Sequence, residues 1–220
     1  MRIREDARIR VRGEVRTFVS RGGQKLEGAL EDLEIDVQGL ACLDLGASTG
    51  GFTDCLLSRG AASVVAVDVG RGLLHERLRR EPRIRLLERT NARYLTADQL
   101  PAGIALVVAD LSFISLRLVL GTIARAVEDA AILALVKPQF EVGKGQVGKR
   151  GVVRDETLRT AAVDAVAKFA EELGYRVAGR VDARIAGPKG NREVFLWLLP
   201  ERSGHAPPQG ESGVGSSAPR

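Results

Sequence analysis

Short apolar runs recur along the chain, and each stops at a charged residue or a glycine. Leu40 to Leu45, Ser63 to Val67, Arg83 to Leu87, Ile104 to Ala109 and Ala131 to Val136 are five of them. Runs of this length without polar alternation suit strands covered on both faces, as in a parallel sheet. Between them, apolar residues return at spacings of three and four. Leu26, Ala29, Leu30 and Leu33 do so within Gln24 to Ile35; Phe52, Leu56 and Leu57 do so after the first strand; Leu116, Val119, Leu120, Ile123 and Val127 do so within Ser115 to Val127. That period predicts helices with one buried face. A longer helix is predicted from a cap at Asp155 to about Leu173, ended by Gly174. Tyr175 to Ile185 and Glu193 to Leu199 read as two strands joined by a turn-rich stretch, Gly187 to Asn191. The order predicts an α/β domain with a doubly wound, mostly parallel seven-stranded sheet and a C-terminal antiparallel hairpin.

The flanks read differently. Arg8 to Phe18 alternates loosely and is too short for a core of its own, so it is expected to order only against the main domain or against RNA. Ser20-Arg21-Gly22-Gly23 reads as a flexible joint. Glu201 to Arg220 is rich in Ser, Gly and Pro and is expected to be disordered. The expected organisation is a basic arm over 1–19, one domain over 20–200 and a tail over 201–220. Charge sharpens this division. Residues 1–25 carry eight basic and three acidic side chains, a surplus equal to the formal net charge of +5 for all 220 residues. A basic segment on a neutral domain points to a polyanion, most simply nucleic acid; a solvated arm is the alternative. The arginines Arg4, Arg8, Arg10, Arg12 and Arg21 are candidate phosphate contacts. So are Lys144, Lys149 and Arg150 in the glycine-rich stretch Gln139 to Arg154, which reads as a long loop.

The first apolar run leads into Asp44-Leu45-Gly46-Ala47-Ser48-Thr49-Gly50-Gly51-Phe52. Strand, tight loop and helix start is the layout of a nucleoside site, where glycines admit a ligand to the backbone and free N–H groups face it. Asp68, at the tip of the second strand, is placed to hold ribose hydroxyls. The dinucleotide fingerprint fails, because Ser48 stands at its middle glycine. Asp44, two residues before Gly46, suggests a cationic or amine-bearing ligand. S-Adenosyl-L-methionine carries both an ammonium and a sulfonium. A βα turn of small residues kept for packing is the alternative.

Ligands of such sheets sit at the carboxyl ends of the strands, where Asp68, Asp110 and Lys137 all fall. Methyl transfer from a sulfonium needs no acid for its leaving group; the nucleophile is what needs help. Asp110-Leu111-Ser112-Phe113 lacks the prolines expected for a nitrogen acceptor, and a ribose hydroxyl would need a base or a strong positive field. Two lysines ~4 Å apart would repel by ~4 kcal/mol at an effective dielectric near 20, enough to move one ammonium by ~3 units. Neighbouring acids would oppose that, so Lys137 reads either as base or as fixed cation.

Several classes are excluded from expectation. The apolar runs are far short of the ~20 residues that span a bilayer, and the basic N-terminus lacks the apolar core of a secretory signal. No membrane role is expected. His75 and His205 stand at no ligand spacing, so no metal is expected. Cys42 and Cys55 read as reduced packing residues of a cytoplasmic protein.

Six stretches carry a resemblance: Ser20 to Leu30 (SRGGQKLEGAL), Leu45 to Leu56 (LGASTGGFTDCL), Glu88 to Arg93 (ERTNAR), Ala109 to Ile114 (ADLSFI), Leu135 to Glu141 (LVKPQFE) and Gly190 to Glu193 (GNRE). In this order the set resembles the TlyA group of FtsJ-like methyltransferases, also called hemolysin-like proteins. The resemblance implies a Rossmann-like S-adenosylmethionine-dependent fold and 2'-O-methylation of ribose in ribosomal RNA, with ribosomal subunits as partners. It implies a catalytic tetrad at Lys25, Asp110, Lys137 and Glu193. It places the cofactor loop at Gly50, Gly51 and Phe52, the ribose acid at Asp68, and Asn91 near the adenine; Gly46, Ser48 and Thr49 complete the loop. Members of the group usually begin with a small RNA-binding domain, of which residues 1–19 resemble at most the tail. A membrane-active hemolysin, an RNA-binding module without catalysis and a small-molecule methyltransferase are the competing readings.

Overall fold

The computed structural model describes residues 18–143, 145–148 and 151–201. Arg4, Arg8, Arg10, Arg12, Lys144, Lys149 and Arg150, and the expected arm and tail apart from Phe18, Val19 and Glu201, lie outside the described residues.

Every predicted apolar run forms a strand. These are β1 (Ala41–Leu45), β2 (Ser63–Val67), β3 (Ile84–Leu87), β4 (Leu106–Ala109) and β5 (Ala131–Val136), followed by β6 (Tyr175–Asp182) and β7 (Val194–Pro200). They build one sheet in the order β3-β2-β1-β4-β5-β7-β6. The first five are parallel, and β7 pairs antiparallel with both β5 and β6. The last strand among the described residues is therefore internal to the sheet. Helices α1 (Arg21–Asp32), α2 (Gly51–Ser58), α3 (Glu76–Arg79), α4 (Arg117–Ala126), α5 (Pro138–Glu141) and α6 (Glu156–Glu172) complete the fold.

Alternate residues of the strands feed two cores. Leu43, Leu45, Ile132, Ala134 and Val136 pack with α4 and α6 through Val119, Leu120, Ile123, Val163 and Val166. Cys42, Val64, Leu133, Leu135 and Phe195 pack with α1 and α2 through Leu26, Leu30, Phe52 and Leu56. Asp155 caps α6 as expected, accepting from the N–H groups of Thr157 and Leu158.

Two expectations of local structure are corrected. Ser20 to Gly23 is no flexible joint: Ser20 is the N-cap of α1, its hydroxyl oxygen accepting from Gly22 N at 3.3 Å, and the glycines form the first turn. They are small because of what they touch. A Cβ on Gly23 would lie 2.3 Å from Phe18, and one on Gly51 would lie 2.2 Å from Ser20 Oγ and 2.8 Å from Gly23 N. The N-termini of α1 and α2 thus meet glycine to glycine, and Lys25 falls in the second turn of α1. Gln139 to Arg154 is not all loop either: α5 opens it, with Pro138 at a first-turn position where its missing N–H costs nothing. Phe18 and Val19 already pack on the domain, and Val19 N donates to Asp54 Oδ2 at 2.9 Å.

Gly51→Ala is expected to force α1 from α2 and to destabilise the fold by about 1–3 kcal/mol, the usual cost of overpacking; denaturant unfolding of the two proteins side by side measures it.

Candidate active site

Because β7 runs against β5, its first residue lies at the edge where β4 and β5 end. Asp110 follows β4, Lys137 follows β5 and Glu193 precedes β7. Val136 pairs with Val194, so the next residues in register, Lys137 and Glu193, are neighbours across the two strands. From above the sheet α1 supplies Lys25. The structure resolves these four into two ion pairs. Lys25 Nζ donates to Glu193 Oε2 at 2.5 Å, with side-chain exposures of 9% and 0%. Lys137 Nζ pairs with Asp110 Oδ1 and donates to Ser112 Oγ at 2.9 Å. Each ammonium is thus answered by its own carboxylate. Gly187 covers Glu193 closely: a Cβ there would lie 2.1 Å from Glu193 Oε1.

The glycine loop sits beside this cluster. Gly46 adopts φ +85°, and a Cβ on it would lie 2.5 Å from the Asp110 carbonyl oxygen, so the ends of β1 and β4 close on each other only with glycine. Ser48 N and Gly70 N donate to the two oxygens of Asp68 at 2.8 and 2.7 Å. That holds the Asp68 carboxylate at the mouth. Thr49 O accepts from His75 N at 3.1 Å, Gly50 is the N-cap of α2, and Phe52 points into the core against Phe195, with ring centroids 6.1 Å apart. Asn91 is exposed at the end of β3, its side chain accepting from Arg93 N at 3.0 Å. Arg21 is exposed on the first turn of α1.

Asp44 is fully buried at the end of β1. Thr53 Oγ1 donates to its Oδ2 at 2.6 Å, while Oδ1 meets no donor. Burial pushes its pKa up to about 7; the Thr53 hydrogen bond opposes this, and the nearby Asp110 and Asp68 carboxylates add to it. Burial likewise pushes the Cys42 thiol up to about 12, and it raises Cys55. Both thiols are free and buried.

The sequence-pattern reading missed four residues. Thr53 holds Asp44, Ser112 holds Lys137, and Gln139 Nε2 reaches Glu193 Oε1 at 3.5 Å. The fourth, Glu141, is buried among Ser115, Leu116 and Arg117, and burial raises its pKa. All four lie inside the quoted stretches, Thr53 in LGASTGGFTDCL, Ser112 in ADLSFI, and Gln139 and Glu141 in LVKPQFE, the one signal that marks them. Phe113 is also at this edge. It is 92% exposed, held at φ +65°, and packs on Phe140 at 5.2 Å between centroids.

The sequence signature of the FtsJ-like methyltransferases matches residues 18–199. The chain belongs to that family. It is 58% identical over 184 residues to the 16S/23S rRNA (cytidine-2'-O)-methyltransferase TlyA of Mycobacterium tuberculosis, a match covering 83% of this chain and 69% of that protein. A Lactococcus lactis protein named as a hemolysin superposes with a TM-score of 0.80 at 40% identity, over 83% of this chain and 88% of the other. An S-adenosylmethionine-dependent methyltransferase from Mesorhizobium loti, 15% identical with a TM-score of 0.56 over 79% of this chain and 96% of the other, shares the fold alone.

The loop of this FtsJ-like methyltransferase fits the cofactor of that fold. A buried Asp44 oxygen without a donor, with Asp68 and Asp110 close by, is an environment for a cation. Among the described residues no group of three or more His, Cys, Asp and Glu side chains is placed to hold a metal, and no helix is long and apolar enough to cross a membrane.

Two outcomes are expected. The folded Asp44 binds a proton that the unfolded one releases between about pH 4 and 7, so its contribution lowers stability as pH rises through that window and is level above it. Asp44→Asn should flatten that part of the melting-temperature profile. Glu193→Ala strands the buried Lys25 and should cost about 3–5 kcal/mol, whereas Lys25→Met with Glu193→Leu should recover most of it; urea midpoints of the three variants decide.

Proposed function

We propose that the chain transfers a methyl group from S-adenosyl-L-methionine to a ribose 2'-oxygen of ribosomal RNA, in ribosomal subunits in the cytoplasm. The observation that carries this reading is the pair of lysine–carboxylate contacts, both ammoniums buried, beside a cation-seeking nucleoside loop. The name of the Mycobacterium tuberculosis relative, which specifies cytidine-2'-O-methylation of 16S and 23S rRNA, points the same way.

The bound cofactor supplies an electrophilic methyl on a sulfonium. Asp44, with the loop Gly46 to Gly51, would hold its amino acid end, Asp68 its ribose and Asn91 its adenine, while Phe52 anchors the loop in the core. Lys137 carries the reaction. Its ammonium is fixed by Asp110 and Ser112, so it would face an incoming 2'-oxygen with a positive charge that stabilises alkoxide character while the hydroxyl proton passes to solvent and an O–CH3 bond replaces the S–CH3 bond. That geometry suits a fixed cation better than a free base. Lys25, held by Glu193, is a second fixed cation for the ribose or its phosphate. Four charges paired in this way orient one another before substrate arrives, which lowers reorganisation during transfer.

RNA binding falls to Arg4, Arg8, Arg10, Arg12, Arg21, Lys144, Lys149 and Arg150. To these we add Arg71, Arg89 and Arg93, exposed in the loops after β2 and β3 and in no side-chain ion pair among the described residues. Tyr94, 70% exposed, and Phe113 stand at the same edge as stacking surfaces for bases. Affinity should fall steeply with salt. The hemolysin name of the Lactococcus lactis relative raises a membrane-active reading, which liposome leakage would test directly.

Labelled S-adenosylmethionine with unmodified ribosomal subunits should place label on a ribose 2'-oxygen. Lys137→Ala should lower the rate by at least ~100-fold while cofactor binding persists. Cofactor binding by the wild type without any label on RNA would refute the substrate; equal rates in the two proteins would refute the role of Lys137.

A further inference from the structure

The segment between β4 and α4 carries Asp110, Ser112 and Phe113, and it is clamped from one side. Its beginning is held by Lys137, through the ion pair to Asp110 and the 2.9 Å hydrogen bond to Ser112. Its middle packs through Phe113 on Phe140. Its end is held by Glu141, four residues after Lys137 on the same short turn. Leu111 and Ile114 add apolar contacts to the core below.

The Glu141 contact is built like a helix cap supplied by another element. The N-cap of α4 is Leu116, whose side chain can accept nothing. Glu141 Oε1 accepts from Leu116 N at 2.7 Å. Glu141 Oε2 accepts from the Ser115 hydroxyl at 2.5 Å, and Ser115 Oγ in turn accepts from Arg117 N at 3.2 Å. One carboxylate thus satisfies the N-cap N–H directly and aims the serine lone pairs at the first helical one. It lies at the positive end of α4, where a negative charge is favoured. Its side chain is only 1% exposed, so water cannot substitute for it. Such a clamp is what a bulky residue at φ +65° requires, because an unrestrained loop would relax Phe113 to negative φ.

We infer that Glu141 is a positioning residue for methyl transfer: by capping α4 from the α5 turn it fixes the Asp110–Ser115 loop, and with it the placement of Asp110 against Lys137 and of Phe113 at the mouth. Glu141 itself touches neither cofactor nor substrate. The kinetic side of this inference rests on the methyltransferase reading above; the structural side does not.

The test uses the full chain and Glu141→Ala, Glu141→Gln and Ser115→Ala. Amide hydrogen exchange is read at Leu111 to Leu118, and kcat, KM and cofactor affinity are measured with labelled cofactor and ribosomal subunits. In Glu141→Ala, exchange should rise at least ~10-fold across Leu111 to Arg117 but not in β1 or β5. The value of kcat should fall ~10- to 100-fold, the loss that goes with a ~1 Å misplacement, with KM and cofactor affinity within about twofold. Glu141→Gln keeps an acceptor for Leu116 N and should recover part of kcat. Ser115→Ala should raise exchange at Arg117 and lower kcat a few-fold, and it carries the test if Glu141→Ala fails to fold. Unchanged exchange in the loop overturns the inference whatever the substrate is. So does a kcat loss matched by an equal loss of cofactor affinity, the mark of general unfolding. A wild type that labels no RNA would count against the proposed substrate alone, and loop exchange would still decide the role of Glu141.

Discussion

An ammonium withdrawn from water is tolerable only where a carboxylate meets it, and the sheet satisfies that condition twice at one edge. Losing a carboxylate would leave a buried ammonium unpaired, and losing Lys25 would leave Glu193 so. The topology follows from this need as much as from the cores. Parallel strands deliver side chains to the ligand edge only at their ends. By reversing direction, β7 brings a residue that precedes a strand, Glu193, into line with residues that follow strands, Asp110 and Lys137. The contact of Gly22 and Gly23 with α2 sets the height of α1, and so the reach of Lys25.

Much of this was legible before any coordinates. The runs Ser63–Val67 and Ala131–Val136 became β2 and β5 without a residue of difference, because a strand buried on both faces has to be continuously apolar. Asp68, Asp110 and Lys137 could be placed by position alone, since an apolar run that ends in a charge marks the sheet edge. Lys25 and Glu193 could not. One lies inside a helix and the other beside a turn, and only the resemblance singled them out. The Ser20–Gly23 stretch was misread because glycine signals either freedom or close approach. What separates the two is Gly51, distant in sequence and facing it in space. Thr53, Ser112, Gln139 and Glu141 act by holding other side chains, and that leaves no period or spacing to detect.

The edge also carries features that a purely structural domain would lack. Ser48, Arg89 and Phe113 hold positive φ without being glycine, and all three lie in loops that follow strands of the parallel part. Val69, Leu73, Tyr94, Phe113 and Leu118 leave large apolar surface in water. Backbone strain and exposed apolar surface both lower stability and solubility. Phe113, which combines both features, follows Asp110 and Ser112 in the loop held by Lys137, where local rules give way to the site.

The separation of 168 residues between Lys25 and Glu193 has a consequence for how the protein is made. Synthesis releases α1 early and β7 late, and β7 lies between β5 and β6 in the sheet. A nascent chain can assemble its first five strands and still lack the carboxylate that Lys25 needs. Completion of that edge therefore waits on the C-terminal part of the sheet, and a polypeptide stalled before Glu193 leaves Lys25 without its partner.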